Sequence, residues 1–433
     1  MCLPLASIGI WSRWVWRGAE AGSTPMRTGA IPEDWVLRSV GSMGEVIAGK
    51  ALAAKAPGEH RPYLRTKNVF DGIIDVEDVL FMPMTDPEFE RFIVLPNDVL
   101  LNEGQSLELV GRCSLYQAEY PGRCAMQNQL LRFRAYHGVS PGFAAHLFRY
   151  CQQTGVFSRV ALQTTSVAHL GSKRFERLVL AWPPTEREQA AISNALSDAD
   201  AALSGLDRLI AKKRDLKRAA MQQLLPGETR LPGFRGQWEV RLLGSVGTFL
   251  KGSGVRKDES QSGELPCVRY GEIYTDHHDY IRSFSSRISH KVAATAMPLK
   301  YGDLLFAGSR ETREEIGKCV AFADRFPAYA GGDIVILRPH DPNPIFFGYY
   351  CNTPRLNAQK ARLGQGDAVV HIGAKSLAAI EIKVPEKEEQ TAIATVLSDM
   401  DAEIEALERR RDKTRALKQA MMQELLTGRT RLV

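Results

Sequence analysis

The sequence predicts an α+β protein in which two mixed domains are separated by two long antiparallel coiled-coil helices, the whole related by an internal pseudo-twofold repeat. Three observations predict it. A 44-residue segment from Glu188 to Leu231 aligns without gaps onto Glu389 to Leu432, with about 24 of 44 positions identical. Within each copy, apolar residues recur at alternating steps of four and three, a 3.5-residue period that makes a coiled-coil seam. The roughly 150 residues before each copy instead carry short β-branched and aromatic runs, such as ERFIVLPNDVLL and DIVILRPHDPNP, bounded by Gly, Pro, Asn and Asp.

Taken along the chain, residues 1–25 come first. Arg13 and Arg17 interrupt their apolar run, where a secretory signal would place charge before an unbroken one. The expectation is a disordered extension with Met26 opening the folded protein; a surface anchor formed by Trp11, Trp14 and Trp16 is the alternative. Residues 26–182 form the first mixed domain. Residues 183–230 are the central helix, entered through Pro183 and Pro184 with acidic residues in its first turn and closed at Gly227. Its seam is Ile192, Leu196, Leu203, Leu206 and Ile210.

Residues 231–384 repeat the mixed domain. Trp35, Gly41 and Gly49 match Trp238, Gly244 and Gly252, while PYLRTKNV, NDVLLNEG, GRC and HLGSK match PCVRYGEI, GDLLFAGS, GKC and HIGAK. Residues 385–433 form the second helix, with Ile393, Leu397, Met400, Ile404 and Leu407 in its seam and Gly428 at its end. About 40 residues at 1.5 Å each make a rod of roughly 60 Å, and the nearest equivalent surface able to cover its seam is the other copy. Two core helices of separate globular domains are the alternative. Pro226, where the second copy has Thr427, predicts a shorter first helix.

Composition narrows the function classes. With 433 residues, 44% hydrophobic and 24% charged, the chain is neither disordered in bulk nor a helical membrane protein, since no window reaches the roughly 18 apolar residues of a spanning helix. A net charge of +6 favours a polyanionic partner mildly. Seven scattered cysteines without a CxxC point to reduced thiols and a cytoplasmic setting.

These motifs together resemble the specificity (S) subunits of type I restriction-modification systems. The resemblance covers the chain from Pro32 onward and rests on the W…G…G opening, the YLR-like strand, the (G/N)D(V/L)L segment and the twice-written EQ..I...L.D.D..I..L......LK.....Q.LL.G..R. It implies that each mixed domain is a target recognition domain for one half of a split DNA site. The helices would set the gap and dock methyltransferase (modification) subunits, two of them, with a restriction subunit as motor and nuclease. It also implies a non-catalytic chain whose partners carry S-adenosylmethionine, ATP and magnesium.

Reading double-stranded DNA needs Arg or Lys for guanine, Asn or Gln for adenine, and further cations for phosphates. The candidates are Lys50, Arg65, Lys67, Asn68, Asn102, Gln105 and Arg112 in the first domain. In the second they are Arg256, Lys257, Arg269, Arg310, Arg313 and Lys318. The loops NEGQS and GSRETREE follow strands at equivalent places, and KKRDLKR on the first helix suits phosphates, an acidic partner face or a solvated flank.

Catalytic signatures fall short. DPNP at Asp341 lacks the consecutive prolines and aromatic of an adenine methyltransferase and reads as a turn. GEVIAGKA at Gly44 has Ala51 where a P-loop needs Ser or Thr. Glu381 and Lys383 offer half of a nuclease site without its aspartate, and His169 and His371 read as turn or packing residues without an acidic partner. A coiled-coil scaffold without sequence readout and a self-sufficient restriction nuclease remain the alternatives.

Overall fold

A computed structural model describes residues 31–51, 56–163, 166–341, 343–366 and 368–432. The expected extension, Met26 and Cys2 lie outside them. The chain divides into two compact units, residues 1–206 with 410–433 and residues 207–409. The division falls midway along both long helices, because each half-helix packs on a different domain.

In the first unit, an antiparallel sheet has the order Gly44–Ala48, Leu130–Ala135, Val99–Asn102, Cys113–Leu115. A second sheet runs Leu80–Met84, Glu59–Leu64, Cys124–Met126, Ile93–Val94, with one parallel pairing at Tyr63 and Ala125. The other unit reproduces both orders. Its sheets are Gly247–Lys251, Ile334–Pro339, Leu304–Ala307, Cys319–Ala321 and Ser286–Ile288, Leu265–Val268, Tyr329–Ala330, Met297–Pro298, again with one parallel pairing, Cys267 to Tyr329. The repeat written in the motifs is therefore also a repeat of topology. In each unit a two-stranded ribbon leads to the long helix: Val36–Ser39 with Val179–Trp182, and Glu239–Leu242 with Glu381–Val384.

The long helices span Glu186–Leu224 and Lys387–Leu425. Pro226 does not shorten the first one. It lies beyond the last helical residue, where a missing N–H removes no helical hydrogen bond. Gly227 (φ 75°) and Gly428 (φ 73°) then turn the chain left-handed, a conformation glycine takes without Cβ strain. A Cβ at these positions would press on Trp238 at 3.0 Å or on Pro32 at 2.5 Å.

The seam residues divide their work. Ile192 and Leu196 are fully buried in one core with Trp35, Phe143, Trp182 and, from the end of the second helix, Met422, Leu425 and Leu426. Ile393 and Leu397 do the same with Trp238, Phe346, Leu224 and Leu225. The first two seam positions of each helix thus belong to a domain core as well as to the helix pair. Farther along, Leu206, Ile210 and Ile404 are buried, while Leu203, Met400 and Leu407 are half-buried. Ion pairs give the direction within each unit: Glu188 with Arg431 and Asp200 with Lys418 in one, Lys217 with Asp401 and Arg230 with Glu389 in the other. As one partner advances the other retreats, so the helices are antiparallel.

Six cysteines, Cys113, Cys124, Cys151, Cys267, Cys319 and Cys351, are free and buried among the described residues. Burial pushes the Cys151 and Cys267 thiols up to about 12, which leaves them unreactive packing groups. Among the described residues no helix is long and apolar enough to cross a membrane.

Candidate nucleic-acid interface

Each recognition candidate is placed by the strand that carries it. After strand Glu59–Leu64, a tight turn at Thr66–Asn68 is held by the Asn68 amide. Its Oδ1 accepts the Arg65 N–H at 3.0 Å, and its Nδ2 donates to the carbonyls of Asp75 at 2.9 Å and Asp78 at 3.1 Å. Asn68 is 2% exposed, so its hydrogen-bonding capacity is spent inside the loop. The turn projects Arg65 and Lys67 together onto Asp78, at 2.6 and 2.7 Å. The Lys67 hydrogen bond, with Arg65 beside it, holds the Asp78 carboxyl below its usual range. Lys67 keeps 64% of its side chain exposed.

Two other candidates of the first domain face inward. Asn102 is fully buried and donates to the Val69 carbonyl at 3.2 Å. Lys50, 9% exposed, is ion-paired with Glu88, whose carboxyl that hydrogen bond lowers. Neither presents a polar edge to a groove. Gln105 and Arg112 are half-buried, and the Arg112 guanidinium lies 4.8 Å over the Phe70 ring.

In the second domain, Arg256 and Lys257 are exposed at a short turn. Arg269 is the counterpart of Arg65, and its N–H donates to Glu272 at 3.1 Å where Arg65 uses Asn68. Arg310 and Lys318 come together around Tyr274. The Arg310 guanidinium stacks 4.2 Å from the ring and pairs with Glu315 at 2.5 Å, while Lys318 donates to the His277 carbonyl at 2.7 Å. Burial lowers the Lys318 pKa, and its ammonium is turned into the fold. Arg313 donates to the carbonyls of Gly364 and Gly366 at 3.1 and 2.9 Å, tying its loop to the chain before His371.

The two histidines have a positional role that sequence reasoning missed. His169 pairs in register with Gly104, and Ala168 with Gln105; His371 pairs with Ser309, and Val370 with Arg310. The His169 Nδ1 lies 2.9 Å from Glu103, so an acidic partner does exist, and the His371 Nδ1 lies 2.9 Å from the Ser309 hydroxyl. The HLGSK and HIGAK segments thereby clamp the NEGQS and GSRETREE loops. Gln105 and Arg310 occupy equivalent positions on those loops.

The acidic residue of the (G/N)D(V/L)L motif is also accounted for. Asp98 and Asp303 are buried, and each takes a neighbouring-strand arginine, Arg134 at 2.7 Å and Arg338 at 2.8 Å. The other chemical near misses have structural places as well. Gly44–Ala48 is a sheet strand, not a loop opening a helix. Asn343 of DPNP accepts the Phe346 N–H at 3.0 Å and caps a helix rather than making a simple turn. Glu381 pairs with Arg355 at 2.7 Å.

The basic run KKRDLKR does not stand free. Within its unit, Lys213, Arg214 and Lys217 pair with Glu403, Glu408 and Asp401 of the second helix. Much of its charge is therefore matched inside the fold.

Comparison with known proteins places this arrangement. The profile of the type I restriction modification DNA specificity domain matches residues 236–414. A putative type I restriction enzyme specificity subunit of Methanocaldococcus jannaschii, MjaX, is 24% identical over 427 residues, covering 93% of this chain and 95% of that one. The MjaVIII specificity subunit of the same organism is 23% identical over 432 residues, covering 93% and 94%. The crystal structure of a type I S subunit from M. genitalium superposes with a TM-score of 0.56 at 14% identity, covering 93% of this chain and 98% of that chain.

Proposed function

Since the chain belongs to the type I restriction-modification specificity subunits, in which its part is DNA recognition within a multisubunit assembly rather than catalysis, we propose that it reads a bipartite target with one domain per half-site. The observation that supports this most directly is the contrast inside the repeat. The helical segments are about 24 of 44 positions identical, whereas the domains share a topology and little else beyond scattered motifs. Two readers of one architecture and different surfaces, carried on a common antiparallel helix pair, suit two different half-sites at fixed separation.

In this reading the surface candidates divide by exposure. Lys67, Arg256 and Lys257 are open to solvent and suit phosphate or base-edge contacts. Gln105 and Arg310, on the clamped loops, are the symmetric pair suited to base readout. The helix pair docks two modification subunits, and a restriction subunit completes the assembly. S-adenosylmethionine, ATP and magnesium belong to those partners.

The test is co-expression with the neighbouring modification subunit, followed by mapping of methylated adenines in host DNA. A single asymmetric motif of two short blocks around an unspecified gap is expected, one block changing when either domain is exchanged. A stable complex that methylates without such a motif would refute the bipartite reading.

A further inference from the structure

The two clamp segments keep certain residues while changing those residues' internal partners. His169 corresponds to His371 and Lys173 to Lys375, at the same spacing in HLGSK and HIGAK. The His169 Nδ1 lies 2.9 Å from Glu103, whereas the His371 Nδ1 lies 2.9 Å from the Ser309 hydroxyl, and Gly308 occupies the place of Glu103. Lys173 lies 3.4 Å from Glu176, but the second copy has Ala378 at that position. A side chain kept for an internal contact keeps its partner. Here the partners have changed and the histidine and lysine have not.

The retained groups also reach solvent. The Lys173 side chain is 80% exposed and that of His169 36%, and both His371 and Lys375 are exposed. With Nδ1 engaged, the free edge of each imidazole is Nε2, which has no hydrogen-bond partner among the described residues. With the Ser309 hydroxyl donating to Nδ1, His371 carries its proton on Nε2, and in the imidazolium form His169 donates through both nitrogens. His371 lines an open cleft of about 420 Å³ with Lys251, Ser309 and Asp333, where the lysine and aspartate offset one another in charge. Other cations of the first segment have no counterpart: Arg174 corresponds to Ser376 and Arg177 to Ala379. General basicity is therefore not what the two copies share.

Two readers of different half-sites meet one feature in common, the sugar-phosphate backbone. We propose that His169 with Lys173, and His371 with Lys375, hold backbone phosphates at equivalent points of the two half-sites and so fix the register of the reading loops beside them. His169 pairs with Gly104 and His371 with Ser309, each one residue before Gln105 or Arg310. A phosphate held at the imidazole therefore sets where the reading residue meets the base edges. The proposal rests on the half-site reading given above and adds a contact that carries no sequence information.

The experiment uses the full chain assembled with its modification subunit and duplex DNA carrying the methylated motif. Asparagine in place of histidine keeps an amide near Nδ1 and removes the outer edge; glutamine keeps an amide near Nε2 and gives up the inner one. His169→Asn and His371→Asn should each weaken DNA binding roughly fivefold to tenfold, and the glutamine variants should recover most of that loss. Lys173→Ala and Lys375→Ala, at exposed positions, should keep the thermal midpoint and each reduce the slope of log affinity against log salt by about 1. All of these variants should leave the methylated motif unchanged, whereas Gln105→Ala or Arg310→Ala alters one block of it.

The opposite ranking, with asparagine binding normally and glutamine weakly, would make the histidines loop clamps only and overturn the proposal. A changed motif or an unchanged salt slope in the lysine variants would overturn it as well. If exchanging either whole domain leaves the motif untouched, the half-site reading itself fails and the phosphate anchors fail with it.

Discussion

Arg431 and Glu188, 243 residues apart, form a two-pronged ion pair, with the Arg431 Nη2 donating to Oε2 at 2.8 Å. Glu188 is 1% exposed and also accepts the Trp35 indole N–H. In the other unit Arg230, Glu389 and Trp238 repeat the triad, with the indole at 3.0 Å. A carboxylate buried at the start of one helix is thus answered by the arginine that follows the other helix. The hydrogen bond to Asp34 and then that to Glu188 raise the Arg431 pKa, so its guanidinium stays charged. Replacing Arg431 with alanine would leave Glu188 buried and unpaired, at a cost of about 2–3 kcal/mol after allowance for the arginine's partial exposure. Hydrogen exchange resolved by unit should show Arg431→Ala loosening the first unit and Arg230→Ala the second.

The second crossed pairing gives an unequal prediction. Asp200 meets Lys418 and Arg149, the latter at 2.9 Å, with 34% of its side chain exposed. Asp401, 13% exposed, meets Lys217 at 2.7 Å and Arg282 at 2.9 Å and also accepts the Tyr349 hydroxyl. Removing the deeper carboxylate strands more buried donors. Asp401→Ala should cost about 3–5 kcal/mol and Asp200→Ala about 2 kcal/mol, a difference readable as separate shifts in urea midpoints.

How far this architecture was legible follows from which signals are local. The 3.5-residue period exposed the long helices, and the repeat exposed their pairing, because both are written as spacing. The D.D and LK motifs were visible twice, but the crossing of Asp200 to Lys418 was not, since each aspartate has a lysine at the same offset on its own helix. Ile192 and Leu196 read as seam because an apolar helix position looks the same whichever surface buries it. Asn68 and Asn102 read as groove contacts because a loop-rich polar context suggests exposure. The available signal was the run VLLN, whose unbroken apolar character marks a doubly covered strand, and the match of Asn68 to Glu272 as a shared turn cap. Arg134 and Arg338 were likewise matched in the repeat, and a buried motif aspartate requires such a partner.

A pH dependence follows from His146. It is 5% exposed, its Nε2 is 3.0 Å from the Ser197 hydroxyl, and burial lowers its pKa to about 4, with Arg149 and Lys418 opposing the charged form and Asp200 and Asp71 favouring it. An unfolded histidine titrates near 6.5. The folded-state pKa is the lower one, so the unfolded chain binds more protons between these values. The neutral imidazole's contribution is therefore complete above about pH 6.5 and is lost as pH falls toward 4, by up to ~3 kcal/mol. Urea midpoints measured at pH 7.5 and pH 5 should converge in His146→Gln relative to the unaltered protein.

Burial also separates two substitutions that sequence alone would rank together. Asn102 and Lys257 both carry groups suited to DNA, yet Asn102 is fully buried with its amide on the Val69 carbonyl, while Lys257 is exposed on a turn. Asn102→Ala leaves that carbonyl without its donor and should cost about 1–3 kcal/mol of stability, with the methylated motif unchanged in the protein that folds. Lys257→Ala should leave the thermal midpoint in place. It should weaken DNA binding by the assembled complex and reduce the slope of log affinity against log salt by about 1 if the lysine sits on a phosphate. A changed motif with Asn102→Ala, or an unchanged salt slope with Lys257→Ala, would reverse their assignments. Measuring the two variants in parallel therefore reports whether exposure, rather than residue type, decides which polar groups of this fold meet DNA.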